Sequence, residues 1–251
     1  MNHPGLFIVL EGSDGAGKST QLKLTEGRLM ALGYEVATVS FPRYRAKSSY
    51  FIRQYLAGAY GPASEISPYT ASLFYAVDRY EAATKISNAL KEGKLVLADR
   101  YVGSNMAHQG SKFASGGEKR GFFIWAESLE YELLGIPRPD LNIYLHLPIG
   151  IANQRIKTRA GLADEHEADE EHLINTIATY ELLCSLFPKD FTKINCAKKG
   201  HQLAVRQISN SIWKEIKPLL PPNPPNEPKP LTVKLTDDKS TNKNSKEPSK
   251  N

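Results

Sequence analysis

The chain has 251 residues, of which 41% are hydrophobic and 24% are charged, and these values are ordinary for a globular protein with a sizeable core. Its purely apolar runs reach only about five residues, whereas a membrane-spanning helix needs about 20, so we expect no transmembrane helix, no secretory signal and no membrane partner. Two cysteines without metal-ligand spacing argue against a disulfide framework or a zinc site and favour a cytoplasmic location. The net charge is +5, of which +2 belongs to residues 218–251, so the remainder is too weakly basic to predict a nucleic-acid surface.

Short apolar runs alternate with helical patterns along residues 1–217, without an internal repeat. The apolar runs predict five strands, which are Leu6–Leu10, Glu35–Phe41, Leu95–Ala98, Leu141–Leu147 and Phe191–Asn195. Apolar residues at helical spacing predict the helices Ser19–Leu32, Ser67–Lys91, Glu118–Leu134, Gly150–Arg159, Asp169–Phe187 and Gln202–Ile216. This alternation predicts an α/β fold with three layers, in which a five-stranded parallel sheet is flanked by helices.

Residues 218–251 differ in composition from the rest of the chain. They hold eight of the sixteen prolines and many Lys, Asn, Ser and Asp residues, but few large apolar ones. Such a segment buries too little apolar surface to offset the entropy lost on ordering. We therefore predict one domain over residues 1–217 and a disordered tail over residues 218–251.

The loop after the first predicted strand carries a phosphate-binding motif. Residues 12–19 read GSDGAGKS, which fits G-x-x-x-x-G-K-[ST] between a strand and a helix. Glycines let successive backbone N–H groups point at an anion, and the helix N-terminus adds positive potential there. We predict that Lys18 reaches the transferring phosphates of ATP and that the Ser19 hydroxyl binds the cofactor Mg²⁺. The predicted ATP-binding residues are Gly12, Ser13, Asp14, Gly15, Ala16, Gly17, Lys18, Ser19 and Thr20.

Asp99 and Arg100 directly follow the third predicted strand. A P-loop needs an acidic partner for magnesium near a neighbouring strand end, and Asp99 either fills that role or only caps the next segment. A cation beside a magnesium ligand indicates a second anion, which in a phosphotransferase is the phosphate of the acceptor. A guanidinium fork matches phosphate oxygens, so Arg100 is predicted to clamp that phosphate. Arg43 is either a second contact to it or a solvated loop residue.

Five segments carry a family resemblance. They are GSDGAGKST, SFPRY (residues 40–44), LFYAVDR (73–79), ADRYVGSNMAHQG (98–110) and DEHEAD (164–169). In this order and at these distances they resemble the thymidylate kinase family, over roughly residues 6–216. The P-loop is generic, whereas the combination of Phe-Pro-Arg-Tyr with Asp-Arg-Tyr and the Ser-Asn that follows is specific. The resemblance implies transfer of the γ-phosphoryl group of ATP to dTMP, giving dTDP for dTTP and DNA synthesis, by a homodimeric enzyme with a mobile lid.

The base of the nucleotide that accepts the phosphoryl group can be recognised by its pattern of hydrogen-bond donors and acceptors. Thymine offers the acceptor O4 where cytosine offers an amino donor, and an arginine side chain only donates. Arg79, which the resemblance places at this position, would therefore accept thymine and reject cytosine, while Asn105 can accept from thymine N3–H. Tyr75, four residues before the arginine, is predicted to stack on the base, although the adjacent Phe74 leaves this choice ambiguous.

The resemblance implies further contacts with dTMP. It places Asp14 at the sugar hydroxyl, where it also helps to organise magnesium, and Tyr44 beside the sugar. His108 stands where family members often carry Tyr or Phe near the 2′ carbon, so it either alters discrimination against ribose or points elsewhere. Ser104 belongs to the same predicted site.

A lid is predicted over about residues 150–168. Some family members carry an arginine at the position of Gly15, and because this chain does not, the cation over the transferring phosphoryl group must come from elsewhere. Arg155 and Arg159 share one helical face and suit that role, the alternative being a solvated basic face. In the acidic segment that follows, the resemblance places Asp164 near the sugar and Glu167 near magnesium, unless both belong to a solvated run. The predicted catalytic residues are thus Asp14, Lys18, Arg100, Arg155 and Arg159.

Two other classes of protein remain as alternatives. One is another nucleoside monophosphate kinase or a deoxynucleoside kinase on the same core, and the latter would need a base near the 5′-hydroxyl. Glu11 could serve as that base, but Arg100 and Arg43 would then lack an anion. The other is a non-catalytic P-loop module that binds ATP, which would not need Arg79 or Asn105.

Overall fold

A parallel sheet between two layers of helices forms the centre of the molecule. The computed structural model describes residues 4–158, 170–222 and 233–234. The strands are β1 (Leu6–Glu11), β2 (Val36–Ser40), β3 (Leu95–Asp99), β4 (Leu141–His146), β5 (Phe191–Asn195), β6 (Ala197–Lys198), β7 (His201–Gln202) and β8 (Val233–Lys234). The helices are α1 (Lys18–Ala31), α2 (Tyr50–Leu56), α3 (Pro68–Lys91), α4 (Val102–Gly110), α5 (Gly116–Glu127), α6 (Ile149–Thr158), α7 (Glu170–Leu186) and α8 (Val205–Ile216).

The sheet has the strand order β5-β4-β1-β3-β2, and all of these pairs are parallel. The predicted five-stranded parallel sheet is therefore confirmed, and β8 adds two residues that pair parallel with β2. At one end of the sheet Ser40, Asp99 and Leu10 lie opposite one another on neighbouring strands. The carboxyl ends of β1, β2 and β3 thus meet at one edge, which is where α/β sheets of this kind bind ligands.

The central strands β1 and β3 are buried on both faces of the sheet, which explains their nearly continuous apolar sequence, whereas the edge strand β5 carries exposed Lys193 and Asn195. Alternate side chains of β1 point to opposite faces. Phe7 and Val9 belong to the core under α3, α4, α5 and α7, whereas Ile8 and Leu10 belong to the core that contains residues of α1 and α8. The predicted α/β layering is therefore present.

Several elements of the described chain were not among the predicted ones. Helices α2 and α4 lie in stretches where no helix was predicted. The predicted helix Glu118–Leu134 is divided into α5 and a π-helical turn, Ser128–Leu133. Helix α5 begins in a capping box, because the Glu118 backbone N–H donates to the Ser115 hydroxyl and the Glu118 carboxylate accepts from the Ser115 N–H.

The packed chain continues a few residues beyond Lys217. A 3-10 turn spans Lys217–Leu219, Leu220 packs against the core, and the Tyr34 hydroxyl donates to the Pro221 carbonyl at 2.8 Å. The rest of the predicted tail lies outside the described residues, apart from the two residues of β8. Across the part of the chain that is described, none of the helices has the length and apolar character to cross a membrane.

Candidate active site

The P-loop connects β1 to α1. Gly12 has φ 152° and Gly17 has φ 90°, conformations that residues with a Cβ rarely adopt. A Cβ on Gly12 would also lie 2.9 Å from the Leu145 carbonyl oxygen. The first turn of α1 has no side-chain cap, so its backbone N–H groups are available to an anion.

Lys18 lies inside the curve of this loop. Its Nζ donates to the carbonyl oxygens of Gly12 at 2.9 Å and Ser13 at 3.0 Å. Burial, together with the nearby Arg100 cation, lowers the pKa of Lys18 to about 8. A phosphate at this point would favour the charged ammonium and reverse that shift.

Arg100 lies between β3 and α4 with a positive φ of 68°, a strained backbone conformation for a residue with a long side chain. Its guanidinium forms an ion pair with Asp14 of the P-loop. Its Nη1 also lies 3.3 Å from the Gly12 carbonyl oxygen, 3.4 Å from Ser104 Oγ and 2.9 Å from His108 Nε2. The predicted phosphate clamp is therefore held at the edge of the P-loop.

Glu11, the last residue of β1, caps helix α4 from a distance. It is fully buried, and its Oε1 accepts from the backbone N–H groups of Tyr101 at 2.9 Å and Ser104 at 3.1 Å. Its Oε2 accepts from the hydroxyls of Ser104 at 2.5 Å and Tyr180 at 3.0 Å. Burial raises the pKa of Glu11, and the Ser104 hydrogen bond opposes that rise. Because internal donors occupy both oxygens, Glu11 is not placed to act as the base that a deoxynucleoside kinase would need.

A cavity of about 360 Å³ lies beside the P-loop, and this volume falls in the range of small-molecule sites. It brings together most of the residues predicted for the two nucleotides. Those that line it are Asp14, Gly15, Gly17, Lys18, Ser19, Tyr44, Tyr75, Arg79, Asp99, Arg100, Ser104, Asn105 and His108. The P-loop residues Gly12, Ser13, Ala16 and Thr20 complete the loop without lining this cavity.

One side of the cavity holds Arg79 and Asn105 around a carboxylate that was not predicted. Arg79 Nε and Nη2 each donate to one oxygen of Glu130 at 2.5 Å, and Asn105 Nδ2 donates to Glu130 Oε1 at 3.3 Å. Burial acts to lower the pKa of Arg79, but Glu130 outweighs it and the pKa lies above its usual value. Among the described residues, Asn105 Oδ1 is buried without a hydrogen-bond partner, and so is Oε1 of Gln109, which also lines the cavity.

The two adjacent rings on α3 take different positions. Tyr75 lines the cavity, whereas Phe74 stacks on Phe51 with ring centroids 5.8 Å apart and also packs against Tyr60. Of the two rings, Tyr75 is thus the one placed to contact a bound base.

Arg43 does not line the cavity, in contrast to its predicted contact with the acceptor phosphate. Its side chain is buried against Asp78 at 3.1 Å and also pairs with Glu81. The Asp78 carboxylate accepts from the Arg43 backbone N–H at 2.8 Å as well. Arg43 is therefore not a solvated loop residue, and its ion pairs hold the loop that follows β2. Its contact with the acceptor phosphate stays a prediction.

The residues predicted to bind magnesium share this cavity. Asp99 Oδ1 is buried and has no hydrogen-bond partner among the described residues, and Ser19 and Asp14 line the same cavity as Asp99. Carboxylate and hydroxyl oxygens together with substrate phosphates are the ligands that Mg²⁺ prefers, so the residues present fit this ion. Glu167, the other predicted ligand, lies outside the described residues.

The lid prediction falls partly on the described chain. Helix α6 carries Arg155, whose Nη1 lies 3.5 Å from the position that a Cβ on Gly17 would occupy. The Arg155 guanidinium therefore lies over the P-loop. Arg159 and Asp164, like the rest of the predicted lid to residue 168, fall outside the described residues.

Comparisons with known proteins agree with this geometry. The family model described as thymidylate kinase matches residues 10–208. A thymidylate kinase of Leifsonia xyli is 34% identical over 205 residues, which are 81% of this chain and 92% of that protein. A probable thymidylate kinase of Pyrococcus horikoshii is 36% identical over 191 residues, or 74% of this chain and 85% of that protein. The solved structure of a thymidylate kinase from Candida albicans shares the fold, with a TM-score of 0.66 at 21% identity over 87% of this chain and 94% of that one. The chain belongs to the thymidylate kinase family.

Proposed function

We propose that the chain transfers the γ-phosphoryl group of ATP to dTMP, giving dTDP and ADP. The observation that carries this proposal is the pair formed by Arg79 and Asn105, which contact the same oxygen of Glu130 on one side of the cavity. A donor-only guanidinium beside an amide oxygen complements O4 and N3–H of thymine. Arg100 and the P-loop supply cations for the phosphates in the same cavity.

The mechanism needs positioning and charge neutralisation. A phosphate oxygen of dTMP attacks the γ-phosphorus of ATP in line, a new P–O bond forms, and the bond between the γ-phosphorus and the bridging oxygen breaks to release ADP. That phosphate oxygen is already ionised at neutral pH, so no strong general base is required. Lys18, Arg100 and Arg155 spread the developing charge. Asp99 and Ser19 would hold Mg²⁺, which when bound neutralises phosphate charge.

Asp14 serves both substrates in this proposal. Its ion pair with Arg100 holds the guanidinium at the P-loop before dTMP binds. When the phosphate of dTMP replaces Asp14 as the ion-pair partner of Arg100, the Asp14 carboxylate becomes free to accept a hydrogen bond from the sugar hydroxyl and to help to organise magnesium. Tyr44 and Ser104 line the same cavity and complete the contacts proposed for the nucleotide.

The protein is also proposed to be a homodimer, which associates through an apolar face of α3. Four large apolar residues at helical spacing form this face, and their side chains are 41–55% exposed: Tyr69, Leu73, Val77 and Tyr80. Large exposed apolar patches mark interaction surfaces, and a second copy of the chain would cover them about a two-fold axis. Both cysteines are free, which supports the proposed cytoplasmic setting.

A substrate panel tests the proposed activity. Purified protein is incubated with ATP and Mg²⁺ and, in separate reactions, dTMP, dUMP, dCMP, UMP, AMP or thymidine, and the products are identified by chromatography. We expect dTMP to give the highest kcat/KM and thymidine, which lacks the phosphate that Arg100 binds, to give no product. Preference for thymidine or AMP, or release of ADP without phosphorylation of dTMP, would overturn the proposal.

A further inference from the structure

Glu130 is a fully buried carboxylate for which the proposed mechanism has no role. It lies in the π-helical turn Ser128–Leu133, and such turns are frequent at functional sites. A buried carboxylate needs internal partners, and those of Glu130 are the two side chains proposed to contact the base. One carboxylate therefore connects both halves of the base-reading pair.

The chemistry of a carboxylate fixes the orientation of Asn105. An ionised carboxylate accepts hydrogen bonds and cannot donate them. Asn105 must therefore present its Nδ2 to Glu130, at 3.3 Å, and this turns Oδ1 the other way. That oxygen is one of the buried side-chain atoms without a hydrogen-bond partner among the described residues, so the amide can accept a hydrogen bond from a bound base.

The same carboxylate fixes the plane of the Arg79 guanidinium. Two parallel hydrogen bonds, from Nε and Nη2, hold the fork against Glu130, a bidentate arrangement with little rotational freedom. The third nitrogen, Nη1, lies 3.5 Å from the Tyr101 carbonyl oxygen. Arg79 and Asn105 both line the cavity, so the N–H groups left on Nη1 and Nη2 are the donors that Arg79 can present there together with the Asn105 acceptor.

We infer that Glu130 is a positioning residue for base selection, because it forces the cavity to present a donor beside an acceptor. This pattern matches a pyrimidine with a carbonyl oxygen next to a protonated ring nitrogen, and it opposes one with an amino group next to an unprotonated ring nitrogen. The inference rests on the proposed roles of Arg79 and Asn105. It extends them, because neither side chain alone would fix which end of the amide faces the base.

The substitution Glu130→Gln tests this inference with little change of shape. A glutamine amide can donate from Nε2, so it permits Asn105 to rotate and offer Nδ2 to the base. It also removes one acceptor from the Arg79 fork. We expect the ratio of kcat/KM for dTMP to that for dCMP to fall by about 5- to 150-fold.

A matched control separates positioning from general stability. Asp78, like Glu130, is a buried carboxylate paired with a buried arginine, which is Arg43 in this case. Neither Asp78 nor Arg43 lines the cavity. We expect Asp78→Asn to lower both specificity constants together and to leave their ratio unchanged. A melting curve for each variant reports the loss of stability.

Each outcome decides the inference. A folded Glu130→Gln variant with an unchanged ratio overturns it, and so does an equal fall of the ratio in Asp78→Asn. If Glu130→Gln does not fold, Glu130→Asp is measured instead. The shorter carboxylate of aspartate cannot reach both Arg79 and Asn105, so the ratio of kcat/KM for dTMP to that for dCMP should fall. An unchanged ratio in this variant overturns the inference. Arg79→Ala is measured in parallel. An unchanged ratio there means that Arg79 does not read the base, whereas a fall there without one in the Glu130 variant refutes only the positioning role.

Discussion

At the scale of single residues, Lys18 links nucleotide binding to pH. Its pKa in the ligand-free protein is lowered to about 8 from a usual value of 10.5, and bound phosphate favours the charged form. ATP binding between about pH 8 and 10 should therefore take up as much as one proton at Lys18, and the uptake should disappear below about pH 7. Titration calorimetry in buffers of different ionisation enthalpy measures this uptake.

The Lys18→Ala variant is the control for this prediction. On binding ATP, this variant should take up fewer protons than the wild type, because the proton that Lys18 would take up is missing. Its turnover should be roughly 10²–10³-fold lower. The exposed Lys23 offers a matched substitution, Lys23→Ala, that should change neither quantity. Equal proton uptake in wild type and Lys18→Ala would refute the assignment, as would near-normal turnover with dTMP.

Residues of the site differ in how far the sequence alone identifies them. Lys18 belongs to a contiguous motif, and Arg79 and Asn105 belong to segments with a family resemblance, so local sequence identifies them. Glu130 follows a helical pattern in which a lone acid is usually solvated, and its role depends on Arg79, 51 positions earlier in the chain. The burial of that pair is a tertiary property without a local signal.

At the scale of elements, α4 shows why some helices escape prediction. Helix starts are recognised from a local capping residue, and α4 has no side-chain cap at its own N-cap, Tyr101. Glu11 supplies the cap from another strand. By contrast, Ser115 and Glu118 form a local capping box that the sequence pattern could have revealed.

Helix α6, which belongs to the predicted lid, is expected to act on the transition state more than on ATP binding. An arginine over a transferring phosphoryl group is worth roughly 10³–10⁵ in turnover. Replacing Arg155 and Arg159 by Ala should therefore lower kcat strongly and change the KM for ATP less. The exposed Gln154 of the same helix gives a control, Gln154→Ala, that should leave both constants unchanged. Normal kcat with a raised KM would instead make the two arginines simple binding residues.

The apolar face of α3 predicts the oligomeric state. Val77 is 49% exposed in the middle of this face, so Val77→Glu would place a charge in the proposed dimer interface. We expect light scattering after size exclusion to show a dimer for the wild type and a monomer for this variant. Leu32→Glu, at a similarly exposed site directly after α1, should remain dimeric. A monomeric wild type, or a dimeric Val77→Glu, would contradict the proposed interface.

At the scale of the whole molecule, the C-terminal boundary can be tested by two truncations. Composition places the boundary near residue 217, but the contacts of Leu220 and Pro221 extend the packed chain to residue 221. Removing residues 223–251 takes away only the two-residue pairing of β8 with β2 at the sheet edge, so activity and melting temperature should change little. Removing residues 218–251 should lower the melting temperature by roughly 2–4 °C more, because a net hydrogen bond contributes about 1 kcal/mol. A large drop in melting temperature after removal of residues 223–251 would show that the tail stabilises the domain by more than this short pairing.

The central claim is that this family member selects thymine through Arg79. Its most direct test is to compare the ratio of kcat/KM for dTMP to that for dCMP between the wild type and Arg79→Ala. The contact from Arg79 to thymine O4 is worth roughly 1–3 kcal/mol, so its removal should shrink the ratio by about 5- to 150-fold. The loss should fall on dTMP, because dCMP never makes the contact, and a melting curve recorded alongside identifies any general fold defect. An unchanged ratio in a folded variant, with both substrates impaired equally, would contradict base reading by Arg79.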